Sequence, residues 1–197
     1  MTPNPLRVIK PEIRVLGVDD SRFVLHSKSQ VLVVGTVFRA GNWLEGVMST
    51  LVEVDGLDAT AKLISMIKQS PHFRQLRVIL LDGITLGGFN VIDIKTLAFA
   101  TGKPVIAVTT KKPDLERVHS ALRHLPHYED RWKAVLDAGE IFAVVTRGKK
   151  HQVYAEIAGL TIDVAVQILR LTATRSKVPE PLRVAHIIAS GISLYTT

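Results

Sequence analysis

Acids that close apolar runs are the residues of this chain best placed to do chemistry. Asp19 and Asp20 end the run E-I-R-V-L-G-V-D-D, and Asp82 ends L-R-V-I-L-L-D. Val78 to Leu81 is a continuous apolar run, the pattern of a strand buried on both faces. In open α/β sheets ligands bind outside the carboxyl ends of the strands, so Asp82 stands where a site is expected. The structural alternative is that it caps the following glycine-containing turn. If Asp19 and Asp82 end neighbouring strands, their carboxylates lie too close for both to ionise without a counter-charge. A divalent cation supplies one, and carboxylate oxygens are hard ligands that suit Mg2+ or Mn2+. The chain has no cysteine and scattered histidines, which makes zinc the weaker expectation. Such an ion would orient water and stabilise charge developing on a phosphate, the chemistry of a carboxylate-metal nuclease. Asp58 could add a third ligand, or simply serve as a helix N-cap. His186 could add a fourth, or be a structural histidine.

The elements that must position these residues follow in order. Residues 1–11 carry three prolines and read as an extended arm. Ile13 to Val18 predicts a first strand, Val31 to Phe38 a second, and Leu44 to Val54 a third, with R-A-G-N-W as a hairpin turn between the last two. A helix follows from about Asp58 to Gln69, with Leu63, Ile64 and Ile67 inward and Pro71 ending it. Then come the strand ending in Asp82, a loop loosened by Gly83, Gly87 and Gly88, a helix closed by Gly102, and a strand from Val105 to Val108. Helices are expected over Asp114–Leu125 and Tyr128–Ala138, strands over Ile141–Thr146 and Gln152–Glu156, then a helix over Leu160–Thr174 and a last one beginning near Pro181.

This β-β-β-α-β-α-β order, a meander followed by parallel crossovers, is that of the ribonuclease H-like fold. The expected class is therefore α/β: a five-stranded mixed central sheet flanked by helices, with C-terminal appended strands and helices, in one domain over residues 1–197. In that fold the first strand lies beside the fourth. Strands so paired are about 4.8 Å apart, so the acids at 19 and 82 could share a cation.

Bulk properties narrow the partner. The hydrophobic fraction of 47% allows a large core. No apolar run reaches the roughly 18 residues of a membrane span, and the N-terminus lacks a signal-peptide pattern. A cytoplasmic location is expected. The net charge of +7 and pI of about 9.8 favour an anionic partner, nucleic acid above all. Lys111, Lys112, Arg147, Lys149 and Lys150 form two basic clusters near sheet ends and could contact phosphates, although solvated turns explain them as well.

Four segments resemble endonuclease V, a ribonuclease H-like family that acts on deaminated nucleic acid. G-V-D-D-S at 17–21 is similar to its first-strand motif, which implies Asp19 as a metal ligand. L-L-D-G-I-T at 80–85, with G-K-P-V-I-A-V at 102–108, implies Asp82. D-G-L-D-A-T at 55–60 falls where the family has a helix-start glutamate, which gives that role to Asp58, one methylene shorter. V-P-E-P-L-R-V-A-H at 178–186 is similar to P-E-P-x-R-x-A-(D/H) and implies His186 as an acid/base or metal-side residue. Two departures stand out: the family lysine after the fifth strand meets Thr110, with Lys111 next, and no aromatic wedge loop follows the third strand. D-G-L-D-A-T and D-G-I-T-x-x-G-F-N-V-x-D resemble still more closely an uncharacterised family of small proteins related to endonuclease V. That resemblance implies a metal-dependent endonuclease acting on DNA that contains uracil or hypoxanthine.

Other positions carry less. Asp20 follows Asp19 and points to the opposite face of a strand, as a turn or salt-bridge residue would. Asn90 and Asp93 could reach the metal but read more simply as caps of the helix after the glycine loop, and Phe89 as a core residue that could otherwise stack on a base. A haloacid dehalogenase nucleophile would need an aspartate at position 80, which is leucine. The glycines miss both the dinucleotide and phosphate-loop patterns. The alternatives to a nuclease are a non-catalytic nucleic-acid-binding module that keeps the fold, and a dimerising scaffold.

Overall fold

The computed structural model describes residues 9–24, 27, 29–148 and 151–193. Among these described residues nine strands and six helices are formed: β1 (Arg14–Asp20), β2 (Gln30–Arg39), β3 (Trp43–Glu53), α1 (Ala59–Gln69), β4 (Val78–Asp82), β5 (Thr85–Leu86), β6 (Asn90–Val91), α2 (Ile94–Thr101), β7 (Val105–Thr109), α3 (Leu115–Leu122), α4 (Tyr128–Asp137), β8 (Phe142–Arg147), β9 (His151–Ala158), α5 (Ile162–Thr172) and α6 (Glu180–Ser193).

Seven strands make one mixed sheet in the order β3-β2-β1-β4-β7-β9-β8, and β5 and β6 form a separate small hairpin. The five expected strands are contiguous, with β1 beside β4. The two appended strands extend the same sheet, because β9 pairs antiparallel with β7 and β8 pairs with β9. Parallel pairing of β1 with β4 and of β4 with β7 buries these central strands on both faces: Val78 to Leu81 are all 0% exposed.

Side chains alternate across the sheet. Leu16, Val18, Ile79 and Leu81 face a core shared with Leu63 and Ile67 of α1 and Leu97 of α2. Val15, Val78 and Leu80 face another, shared with Ala165, Ile168 and Leu169 of α5 and Leu182 of α6. The result is a helix–sheet–helix sandwich. The C-terminal helix α6 lies across β1 and β2.

Candidate active site

The site is built where β1 and β4 end side by side. Their ladder pairs Val15 with Val78 through Val18 with Leu81, and its next step sets Asp19 beside Asp82. Parity places Asp19 with Val15 and Gly17, and Asp82 with Val78 and Leu80, so both acids face the side covered by α6. Gly17 lets that helix come close: a Cβ there would stand 2.4 Å from the Pro181 main-chain carbon. Thr36 Oγ1 donates to Pro181 O at 2.7 Å and fixes the same end of the helix. One and a half turns further along α6, His186 Nδ1 and Asp19 Oδ2 share a hydrogen bond at 2.8 Å.

Electrostatic strain is concentrated on Asp19, which is 4% exposed. Burial, then repulsion from Asp82 and Asp20, lifts its pKa to about 7, although the Asp20 main-chain N–H and His186 favour its charged form. Asp82 has surface open to solvent, yet the protein packed around its carboxyl, and then Asp20, also raise its pKa, while the field of His186 lowers it. Burial raises Asp20 as well, against hydrogen bonds that hold its charge.

Asp20 is the site residue that the sequence reading underrated. Its side chain does point to the opposite face, but its Oδ2 accepts from Gly87 N at 2.5 Å, and its field acts on both Asp19 and Asp82. The clue was its place next to Asp19, matched by a glycine pair able to bring main-chain N–H groups close. Gly87 and Gly88 have φ of 54° and 86°, a left-handed turn that suits glycine.

Asp58 is not brought into this group. Among the described residues, no three His, Asp or Glu side chains are grouped so as to hold a metal ion, so the expected triad of Asp19, Asp58 and Asp82 is not assembled. Asp58 Oδ1 instead accepts from Glu53 N at 3.1 Å and from Asn90 Nδ2 at 2.7 Å. It occupies the N-cap position of α1 without making a side-chain cap bond. Asn90 Oδ1 accepts from Ala59 N at 3.0 Å in its place, so Asn90 caps α1 from its position on β6 rather than capping α2. Asp93 caps α2, accepting from Thr96 N. Phe89 packs with Trp132 and Tyr128 in a small core.

Lys111 and Lys112 are exposed just beyond β7, at the same end of the sheet as Asp82. Arg147 ends β8 and donates through Nη1 to Thr174 O at 2.7 Å. Lys149 and Lys150 lie outside the described residues. No helix among the described residues is long and apolar enough to cross a membrane.

The donor set fits a hard divalent ion. Burial first, and then the nearby Asp82, push Asp19 to about 7, a penalty on its charged form that a cation would offset. Mg2+ is usually held by one or two carboxylates, water and substrate phosphate rather than by an all-protein cage. A two-acid site without a third protein ligand therefore suits it.

A central β1–β4 pair with acids at its carboxyl end and a helix closing over one of them is the ribonuclease H-like arrangement of the endonuclease V type. Solved structures agree. Endonuclease V from Bacillus subtilis superposes with a TM-score of 0.65 at 13% identity, covering 98% of this chain and 86% of that one. Ciona intestinalis endonuclease V (D234N), in complex with DNA containing an inosine, gives 0.62 at 14% identity, covering 93% and 86%. These likenesses show the fold. A protein of unknown function from Archaeoglobus fulgidus is nearer, with a TM-score of 0.81 at 41% identity over 91% of this chain and 97% of that one. A UPF0215 protein of Methanothermobacter thermautotrophicus is 51% identical over 195 residues, 98% of this chain and 94% of its own. The profile of the family described as endonuclease dU matches residues 11–193. The chain belongs to the endonuclease dU family.

Proposed function

We propose that this protein is a metal-dependent endonuclease that hydrolyses phosphodiester bonds in DNA carrying a deaminated base, uracil or hypoxanthine. The observation that carries the reading is the pair Asp19 and Asp82, set side by side at the carboxyl ends of neighbouring parallel strands with His186 bonded to the first. The family description and the inosine-containing DNA bound by the Ciona relative of the fold support the substrate class.

In this reading Asp19 and Asp82 hold Mg2+ or Mn2+. Bound there, such an ion supplies positive charge for activating water and for the charge that develops on phosphate. His186 favours the charged form of Asp19 and orients it through Nδ1, and its other ring nitrogen is available to hold or release a proton near the leaving or attacking oxygen. Asp20 adds negative charge and ties β1 to the hairpin turn. Asp58 organises the start of α1. The basic side chains Lys111, Lys112 and Arg147 contribute attraction for the phosphate backbone, and Lys149 and Lys150 are assigned the same role.

The test is a panel of labelled single- and double-stranded DNA and RNA carrying uracil or hypoxanthine, incubated with Mg2+ or Mn2+. Wild-type protein is expected to cleave at the modified base. Asp19→Asn and Asp82→Asn are expected to lose at least about 100-fold in rate, since each removes a charge from the cation's two protein ligands. Tight binding without cleavage under either metal would instead indicate a non-catalytic nucleic-acid-binding module.

A further inference from the structure

Arg131 is a buried arginine outside the site described above. It is 2% exposed and shares the inward face of α4 with Val135. Its donors go to main-chain carbonyls of three separate segments. Nε donates to Pro126 O at 3.0 Å in the α3–α4 turn. Nη1 donates to Gly56 O at 2.9 Å and also to Phe89 O. Nη2 donates to Asp55 O at 2.6 Å. Burying a charge is costly, and an apolar side chain could fill the same volume. What arginine adds is a rigid planar fork with five donors, able to join segments that share no secondary structure.

Through Phe89 O, one of the segments it holds is the β5–β6 hairpin, and through Asp55 and Gly56 it also holds the loop to which that hairpin is bonded. This hairpin begins three residues after Asp82 and is held at successive points: Gly87 N by Asp20 Oδ2, Phe89 N by Asp55 Oδ1 at 2.9 Å, and Phe89 O by Arg131. Packing beneath it is close, since a Cβ at Gly88 would meet Asp55 Oδ1 at 2.3 Å and one at Gly87 would meet Val31 at 2.7 Å. The hairpin follows Asp82 closely and is tied to Asp20, so it stands at the strand ends that carry the acids.

We propose that Arg131 is a positioning residue that locks the β5–β6 hairpin against the acidic site, so that nucleic acid meets a preformed wall next to Asp82. The proposal rests on the nuclease reading for its substrate, but not for its geometry. Preorganisation of this kind improves binding and orientation by removing an ordering cost, and Arg131 touches neither acid.

The experiment compares wild type with R131K, which keeps the charge, and R131M, which keeps the length, each well below its own melting temperature. Three quantities are read: hydrogen exchange of amides in residues 85–91, affinity for a fluorescein-labelled duplex with one deoxyuridine, and Mn2+ affinity, with kcat and KM added if the wild type cleaves. Both variants should exchange the hairpin amides at least about tenfold faster and bind the duplex about tenfold more weakly. Mn2+ affinity should stay within about twofold, because both ligands are untouched. Hairpin exchange and duplex affinity that stay at wild-type values while only the melting temperature falls would overturn the proposal. If R131M does not fold, R131Q, which keeps two donors, carries the comparison. If wild type cleaves nothing, the nuclease reading fails, while the exchange and affinity measurements still decide the role of Arg131.

Discussion

Asp19 shows how a single carboxyl group can carry the strain of a site. It is buried, faces Asp82 and follows the direction that α6 imposes through His186. Its pKa, lifted to about 7 by burial and by the neighbouring acids, means that the proton is a competitor for any cation near neutrality. In the metal-free protein the stability that depends on a neutral Asp19 is complete in acid and is lost as pH rises through 7. Cation binding has the opposite sense, since it needs the ionised form. Mn2+ affinity is therefore expected to be full above about pH 8 and to weaken by about tenfold per unit below pH 7, with about one proton released per ion bound. Calorimetric titrations in buffers of different ionisation enthalpy would check this, and an affinity flat between about pH 5 and 8 would contradict the raised pKa.

At the scale of elements, α6 owes its place to residues that do no chemistry. Gly17 leaves room for the Pro181 backbone, and Thr36 bonds to the same residue. Gly17→Ala should force α6 away from β1, cost about 1–3 kcal/mol of stability, and loosen the His186–Asp19 bond. Urea unfolding together with the imidazole NMR shifts of His186 would detect both effects, and an unchanged His186 signal would sink this account of α6. A second element-scale case is β9. Glu156 sits opposite Ala107 of β7, 4% exposed, and burial alone lifts its pKa to about 7. Its folded pKa exceeds its unfolded one, so its contribution is fully present in acid and disappears as pH rises through 7. Glu156→Gln, which cannot ionise, should be more stable than wild type by about 3 kcal/mol near pH 9 and little different near pH 4. Equal differences at both pH values would contradict a buried neutral carboxyl.

These elements also show what could be read in the sequence. Val78 to Leu81 and Val105 to Val108 announced themselves as buried strands because every residue is apolar, and Asp82 was then fixed at a strand end by simple adjacency. Asp93 was legible as a cap for the same local reason. The role of Asp58 was not, because it depends on Asn90, 32 positions away along the chain. The β5–β6 hairpin escaped notice because two-residue strands have no period to detect. Nor could periodicity say that β9 would add to the edge of β7. Arg131 left a faint mark, a charge four residues before Val135 on the inward face of a helix, but its acceptors are main-chain atoms that sequence does not display.

For the whole molecule the governing property is charge. The chain carries a net charge of +7, and in the proposed function this charge would attract nucleic acid while the cation would sit where phosphate meets Asp19 and Asp82. Duplex affinity should fall steeply with salt. Lys111→Ala and Lys112→Ala, at the same end of the sheet as Asp82, are each expected to reduce the slope of log affinity against log salt by about one, without altering which base is preferred. Unchanged slopes would assign these lysines to plain solvation.

The central claim is that Asp19 and Asp82 together form one cation site, with Asp58 outside it. Manganese titration followed by electron paramagnetic resonance, on wild type, Asp82→Asn and Asp58→Asn, tests it most directly. The account predicts one Mn2+ per chain in wild type, loss of that ion in Asp82→Asn, and retention of it in Asp58→Asn. A wild-type chain that binds no Mn2+ even with an oligonucleotide present, or an Asp82→Asn variant that binds as wild type does, would contradict it.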